Sequence, residues 1–184
     1  MTSTGLQAAT GQSQGRASGR RPPLDDEAWL GFGANLGDRL ANIEKALDHF
    51  SSSLVQISPM FETSPWGLVD QPWFLNGVAR LKWSASAEEL LFACLQCERR
   101  LGRVRGARNG PRTIDIDVLL VGNERCDQPG LTLPHPGLAM RRSVLEPWAS
   151  VSPDLVVPGY GQTLMELRER SLEFTDQRLR PFKP

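Results

Sequence analysis

The sequence predicts an α+β sandwich in which helices pack on one face of a four-stranded antiparallel sheet. Two observations lead to this prediction. Apolar segments typical of strands alternate with segments of helical periodicity, in the order strand, helix, strand, strand, helix, strand. Recognisable helix-start residues stand between the two kinds of segment. This order is that of the split βαβ sandwich, to which C-terminal additions are appended.

The first half of the sandwich begins with a strand at residues 29–33 and a glycine-rich turn. Asp38 is placed to cap the helix that follows, because its carboxylate can accept from a backbone N–H of the first turn. Extended segments are predicted at 54–63 and 74–83. In the second of them, alternation puts Asn76 on the face opposite Leu75.

The second half begins at Ser86, which has Glu89 three residues later, the reciprocal capping pattern that starts a helix. Gly102 is placed to end this helix. Residues 113–122 then form an apolar strand that two aspartates interrupt. The remaining predicted elements are a proline-rich loop at 131–136, a short helix at 144–149 and a last helix at 162–170.

Composition excludes several classes of protein. The chain has 184 residues, and 21 Lys+Arg balance 21 Asp+Glu, so no overall field favours nucleic acid or an anionic membrane. No apolar run approaches the roughly 18 residues that a membrane span needs. Three cysteines (Cys94, Cys97 and Cys126) are too few for a disulfide framework, and Cys94 and Cys97 have the spacing of buried thiols on one helix face. We expect a cytoplasmic, monomeric protein with small-molecule partners.

The chain divides into one domain and two tails. Residues 1–27 are rich in glycine, serine, arginine and proline and contain no aromatic residue, so a disordered tail is predicted there. Residues 28–172 form the domain, and 173–184 are predicted to be a C-terminal tail.

The most specific local signal is the pair Asp115 and Asp117 on the last predicted strand. Alternation places both carboxylates on one face, with Cα atoms about 6.7 Å apart, while Ile114 and Ile116 face the core. Two oxygen donors at this spacing suit Mg²⁺ that completes its coordination with water and substrate phosphate. The alternative is a strand face with ordinary solvated acids.

A concentration of arginines precedes this pair. Six arginines and no acid occur between Arg99 and Arg112, in a chain whose net charge is zero. The planar guanidinium matches phosphate bidentately and stays charged at neutral pH. A polyphosphate ligand is therefore predicted, and the alternatives are a solvated loop or an RNA contact.

Two further segments suggest ligand contacts. His135 lies between Pro134 and Pro136, which stiffen the backbone and exclude helix, and this placement suggests a phosphate contact. The segment 65–76 brings aromatic side chains and Asn76 together, a combination suited to stacking a flat heterocycle and binding its edge. Core packing is the alternative for each aromatic residue.

These residues together resemble the 6-hydroxymethyl-7,8-dihydropterin pyrophosphokinase family of folate biosynthesis. The resemblance runs from about Trp29 to about Arg170 and rests on motifs in a shared order: 33–39, 70–76, 102–105, 110–117 and 131–136. The string at 110–117 combined with Pro134-His135-Pro136 is highly specific.

The resemblance implies a ferredoxin-like fold and transfer of the β,γ-pyrophosphoryl unit of MgATP to the hydroxymethyl oxygen of the pterin, which releases AMP. It implies the enzyme 2-amino-4-hydroxy-6-hydroxymethyldihydropteridine diphosphokinase, with two Mg²⁺ ions held by Asp115 and Asp117 and ATP as co-substrate. The implied catalytic residues are Arg103, Arg112, Asp115 and Asp117. The implied ATP-binding residues are Glu98, Arg103, Arg105, Arg112, Thr132, His135 and Arg141. The implied pterin-binding residues are Thr63, Trp66, Phe74 and Asn76.

The sequence departs from the family pattern at three positions. Ser143 stands where the family has the second stacking phenylalanine, Asn109 replaces a loop tryptophan, and Gly130 replaces an arginine. Another ring, such as Trp148 or Trp66, could compensate for the first change. These departures motivate an alternative function, an ATP-binding regulatory or weakly active homologue with an impaired pterin clamp.

Overall fold

The computed structural model describes residues 20–65, 70–104 and 109–183, which fold into eight strands and four α-helices. The strands are β1 (Glu27–Ala34), β2 (Leu54–Ile57), β3 (Phe61–Thr63), β4 (Phe74–Lys82), β5 (Asp115–Val121), β6 (Cys126–Gln128), β7 (Leu131–Leu133) and β8 (Leu179–Pro181). The helices are α1 (Arg39–His49), α2 (Ala87–Arg100), α3 (Arg142–Val151) and α4 (Leu164–Ser171), with a 3₁₀ turn at Leu138–Met140.

An antiparallel sheet forms the centre of the fold, in the order β5-β1-β4-β3-β8, and β2 pairs with β4 beside β3. The sheet thus has six strands rather than the predicted four. One reason is that the segment predicted as a single strand at 54–63 is divided, because Pro59 has no N–H with which to continue the ladder. The other reason is β8, which adds an edge strand from the predicted C-terminal tail.

The first core lies between one face of the sheet and helices α1 and α2. Ile114, Ile116 and Val118 are buried in it, as alternation along the last strand predicts. Both predicted helix caps are present. Asp38 accepts from the Ala41 N–H (3.0 Å), and Ser86 and Glu89 form the reciprocal capping pair.

The second core covers the opposite face, where Trp29, Val78 and Leu120 pack against α3 and α4. Helices therefore cover both faces of the sheet, and the simple prediction of one covered face is wrong. Trp148 lies at the centre of this core, fully buried, with its ring centroid 5.3 Å from that of Trp29. It packs as a core residue rather than as a substitute ring for the pterin.

Ordered structure extends beyond both predicted tail boundaries. Arg21 bridges to Leu155 and forms a double hydrogen bond with Glu27, so residues 20–27 are held by the fold. At the other end, β8 pairs with β3. Backbone pairing at both ends, and the ion pair of Arg21 with the buried Glu27, compensate here for the lack of apolar side chains. Residues 1–19, the rest of the predicted disordered tail, lie outside the described residues.

The loop predicted at 131–136 is also partly a strand. Residues 131–133 form β7 and pair with β6 in a separate two-stranded sheet. Within the described ranges, no helix combines the length and apolar character that crossing a membrane requires.

Candidate active site

The two aspartates of β5 project from the same face of the sheet into a cleft. In the register between β1 and β5, Asp117 is opposite Gly31 and Asp115 is opposite Gly33. Because these neighbours carry no side chains, nothing from β1 fills the space beside the carboxylates. The alternation predicted from the sequence is therefore present, and the facing glycines open the cleft.

Asp115 is enclosed by cations from two segments. Its Oδ1 lies 2.5 Å from the Arg103 guanidinium and its Oδ2 lies 2.7 Å from that of Arg112. Burial and the nearby Asp117 raise the pKa of Asp115, while Arg112 and Arg103 oppose that change. The interpretation of an ordinary solvated acid does not apply to this residue, since 16% of its side chain is exposed.

Glu98 lies near the end of α2, next to the ion pair of Arg103 and Asp115. Its carboxylate is 4% exposed, accepts from the Ile116 N–H (2.8 Å), and forms an ion pair with Arg103. Burial raises the pKa of Glu98 above its ordinary value, although both of these contacts favour the charged form. Arg103 is thus shared between two carboxylates, Glu98 and Asp115.

Asp117 is more open and lies next to Arg141 and His135. The Arg141 guanidinium donates to Oδ2 (2.9 Å), and His135 Nε2 lies 3.9 Å from Oδ1. Burial lowers the pKa of His135 below its ordinary value. His135 Nδ1 accepts from the Gly137 N–H (3.2 Å), which leaves the ring proton on Nε2, facing Asp117.

Asn35 connects the backbone at Arg112 to the loop at Gln71 and Pro72. The sequence analysis assigned no role to this residue. This residue is 3% exposed. Its Oδ1 accepts from the Arg112 N–H (2.8 Å), and its Nδ2 donates to Gln71 Oε1 and to the Pro72 carbonyl. Gln71 in turn donates to the Asn109 carbonyl (2.9 Å). The sequence signal for this connecting role is limited to a polar residue that lies between two glycines of a turn.

The cavity that Asp115 and Asp117 line is also bordered by β3 and β4. Thr63, Phe74 and Asn76 all line it, together with Gly33. The Asn76 amide donates to the Thr63 hydroxyl (2.8 Å), and the Arg112 guanidinium lies over the Phe74 ring, 5.2 Å from its centroid. These residues come together because the register between β3 and β4 pairs Phe74 with Thr63.

Two of the three positions that depart from the family pattern also lie at this cavity. Asn109 and Ser143 both line it. Asn109 adopts a positive φ of 59°, a conformation that asparagine tolerates better than a bulky residue does. The wall beside Ser143 is completed by Gln177 from the C-terminal segment, a residue that no sequence pattern had indicated.

One predicted site residue that the structure describes, Thr132, is not part of this constellation. It lies on β7, and its hydroxyl donates to Asp127 Oδ1 (3.0 Å), which is not one of the predicted site residues. Trp66 and Arg105 lie outside the described residues.

Comparison with known proteins identifies the family. The sequence profile of 7,8-dihydro-6-hydroxymethylpterin-pyrophosphokinase (HPPK) matches residues 29–153, more than half of the chain. The chain belongs to the HPPK family. All of the site residues described above on β1, α2, β4, β5 and the loop at His135 fall within the matched range, whereas Gln177 does not.

Curated HPPK relatives cover most of the chain. It is 41% identical to the 2-amino-4-hydroxy-6-hydroxymethyldihydropteridine pyrophosphokinase of Methylorubrum extorquens over 136 residues, which are 72% of this chain and 86% of the relative. It is also 41% identical to that of Pseudomonas aeruginosa over 143 residues, 76% of this chain and 88% of the relative. The folic acid synthesis protein fol1 of Schizosaccharomyces pombe is 39% identical over 147 residues, but the match spans only 20% of its length.

Solved structures support the HPPK fold. A crystal structure of an HPPK-DHPS in complex with substrates superposes with a TM-score of 0.64 at 11% identity, covering 82% of this chain and 44% of the other. Wild-type HPPK-DHPS of Plasmodium falciparum gives a TM-score of 0.61 at 13% identity, covering 80% and 44%. At these identities the likeness establishes the mixed α/β fold alone.

Proposed function

We propose that the cleft around Asp115 and Asp117 is where this chain transfers pyrophosphate from ATP to 6-hydroxymethyl-7,8-dihydropterin, the reaction of its family in folate biosynthesis. The enzyme class is 2-amino-4-hydroxy-6-hydroxymethyldihydropteridine diphosphokinase. The single observation that carries this assignment is that three described arginines (Arg103, Arg112 and Arg141) pair with the two carboxylates of a cavity that an aromatic ring and an amide also line.

The residues fit magnesium. Asp115 and Asp117 offer hard oxygen donors on one face of β5, and Mg²⁺ binds through one or two carboxylates plus water and substrate phosphate. Among the described residues no group of three or more His, Cys, Asp or Glu forms a fuller cage. We infer that these two aspartates hold two Mg²⁺ ions, which would neutralise phosphate charge and orient the triphosphate.

The chain's own cations suit the transferred group. In the reaction the pterin hydroxyl oxygen forms a bond to the β-phosphorus of ATP, the bond from that phosphorus to the AMP oxygen breaks, and the hydroxyl loses its proton. Arg103 and Arg112 are assigned to the triphosphate and to the charge that develops during transfer, with Arg105, Arg141 and His135 as further phosphate contacts. Glu98 holds Arg103 in place and is assigned to the nucleotide side, as is Thr132.

The pterin is assigned to the end of the cavity near β3. Phe74 supplies a stacking face, and Asn76 and Thr63 supply hydrogen bonds to the ring edge. Trp66 completes the proposed set. The strand order around β1 and β4 supports a ferredoxin-like assignment of the fold, with β2 and β3 together taking the position of one strand.

The test is phosphorus NMR of the purified protein with MgATP and the pterin. We expect AMP and a pterin diphosphate to form together, only when pterin is present. Chelation of the metal with EDTA should stop the reaction, and added Mg²⁺ should restore it.

Other products would contradict the proposal in distinct ways. Release of ADP would indicate ordinary phosphoryl transfer. Tight ATP binding without any AMP would favour the alternative of a regulatory or weakly active homologue, for which the serine at position 143 is the specific observation.

A further inference from the structure

Gln177 is a buried polar side chain that reaches the cavity from outside the part of the chain that defines the family. It is 7% exposed and lines the same cavity as Thr63, Phe74 and Asn76. It lies beyond the matched range 29–153, in the segment that the sequence predicts to be a tail. None of the roles assigned above uses it.

The Gln177 amide joins two walls of the cavity. Its Oε1 accepts from the Ser143 N–H (3.2 Å) in the first turn of α3, and its Nε2 donates to the Ser64 carbonyl (3.0 Å), directly after β3. First-turn N–H groups have no partner within their own helix, and Arg141 provides no side-chain cap here. The amide therefore connects α3 to the end of β3 at the point where both border the cavity.

The backbone around Gln177 is itself firmly anchored. Ser64 and Arg178 exchange hydrogen bonds, from the Ser64 N–H to the Arg178 carbonyl (2.8 Å) and from the Arg178 N–H to Ser64 Oγ (2.9 Å). Next to it, β8 pairs with β3, and the guanidinium groups of Arg178 and Arg180 lie 5.5 and 5.1 Å from the centroid of the Trp73 ring. An amide held in this way has already lost its rotational freedom before a ligand binds.

The amide keeps hydrogen-bonding capacity in this position. A glutamine side chain has two N–H donors and two acceptor lone pairs. Its contacts with the described residues use one donor and one acceptor, so one of each remains. A donor and an acceptor on one planar group match the edge of a pterin, which carries ring N–H and carbonyl groups.

We propose that Gln177 is a specificity-determining residue of the pterin site, binding the ring edge with the N–H and the lone pair that its protein contacts leave free. This inference rests on the proposed function. It makes the C-terminal segment part of the substrate pocket and gives the wall at Ser143 a polar contact where the family pattern has an aromatic ring.

The experiment compares Gln177→Ala and Gln177→Glu with Asp176→Ala, a control in which the neighbouring exposed side chain is removed. Steady-state rates give KM for the pterin and for ATP separately, and calorimetry gives Tm. We expect Gln177→Ala to raise KM for the pterin roughly tenfold, the size of one or two lost hydrogen bonds, and KM for ATP by less than about twofold. Asp176→Ala should match the wild type.

Gln177→Glu separates binding from helix capping. It keeps an oxygen that can accept from the Ser143 N–H but loses both amide donors, so we expect KM for the pterin to rise with this variant too. If the alanine variant does not fold, the KM values of Gln177→Glu are compared with those of the wild type instead. A lower Tm with an unchanged pterin KM, or an equal rise in both KM values, would overturn the inference in favour of a purely structural role. A wild-type protein that forms no AMP would instead contradict the proposed function itself.

Discussion

At the level of single residues, the site contains two partly buried carboxylates that are each paired with arginine. Asp115 is bound by Arg103 and Arg112, whereas Asp117 is 31% exposed and, among the residues that the structure describes, forms its close ion pair with Arg141. The two proposed metal ligands therefore differ in what their removal would do to the fold. Loss of Asp115 would leave two guanidinium groups facing each other without their shared carboxylate, so Asp117 is the cleaner position for a functional test.

We predict that Asp117→Asn reduces pyrophosphoryl transfer by at least about 100-fold, the size seen when one electrostatic group is removed from a polar site. The side chain keeps its shape but loses the charge that Mg²⁺ requires. The measurement is AMP formation with MgATP and pterin, and Tm should remain near that of the wild type. Asp48→Asn, on the exposed face of α1, is the matched control. Undiminished turnover in Asp117→Asn would refute the metal assignment.

At the scale of elements, β1 is held at its start by a buried carboxylate. Glu27 accepts hydrogen bonds from both Arg21 guanidinium nitrogens (2.7 and 2.9 Å), from the Leu24 N–H (3.0 Å) and from Trp29 Nε1 (2.7 Å). Burial by itself would raise the pKa of Glu27, but the hydrogen bonds from Arg21 and Leu24 outweigh it, and the pKa is lowered. The residues before β1 thus stabilise the strand that carries Gly31 and Gly33.

We predict that Glu27→Gln lowers the free energy of unfolding by about 2 kcal/mol at pH 7, because the ionised acceptor of several hydrogen bonds is lost. A group whose pKa is lower in the folded state stabilises the fold above its unfolded pKa, and this contribution is lost as pH falls through the folded value. The difference between wild type and variant should therefore shrink below about pH 4.5, the ordinary value for glutamate.

Denaturant titrations at pH 7 and at acid pH measure this difference. Asp25→Asn is the control, because Asp25 is an exposed acid in the same segment. A difference that stays constant across the pH range would show that the ionised form of Glu27 is not what stabilises β1.

At the scale of the whole molecule, one sheet carries a core on each face, and the site opens at the ends of its central strands. The first core packs α1 and α2 beneath β5, which turns Asp115 and Asp117 towards the other face. The second core brings α3 and the loop at His135 to that face. The C-terminal segment then closes the cavity beside β3.

We predict that a chain shortened to end at Leu172 is less stable than one that ends at Phe182, by at least about 1 kcal/mol. The shorter chain loses the pairing of β8 with β3 and the packing of Phe182 against the first core. Thermal unfolding of the two chains gives the comparison, and the chain that ends at Phe182 should match the full-length protein. Equal Tm values for the two shortened chains would contradict a structural role for β8.

Much of the fold can be predicted from local sequence patterns, without knowledge of the tertiary structure. Period-two alternation identified which residues of β4 and β5 face the first core, and the caps at Asp38 and Ser86 located the starts of α1 and α2. These signals depend only on residues a few positions apart, so they can be recognised in a single sequence. The division at Pro59 and the short strands β7 and β8 were not predicted, because pairing rather than composition decides whether three residues form a strand.

For the site, the sequence alone indicates the kinds of groups present: paired carboxylates, a concentration of arginines, and an aromatic ring near an amide. Which of these groups meet depends on the fold. Arg103 is shared by Glu98 and Asp115, Asn35 ties the arginine segment to Gln71, and Gln177 reaches Ser143 across 34 residues. The physical reason is that hydrogen bonds and ion pairs between distant segments depend on sheet register and helix placement. A buried glutamine in a short C-terminal segment has no periodicity of its own, so its place in the cavity becomes visible only once the chain is folded.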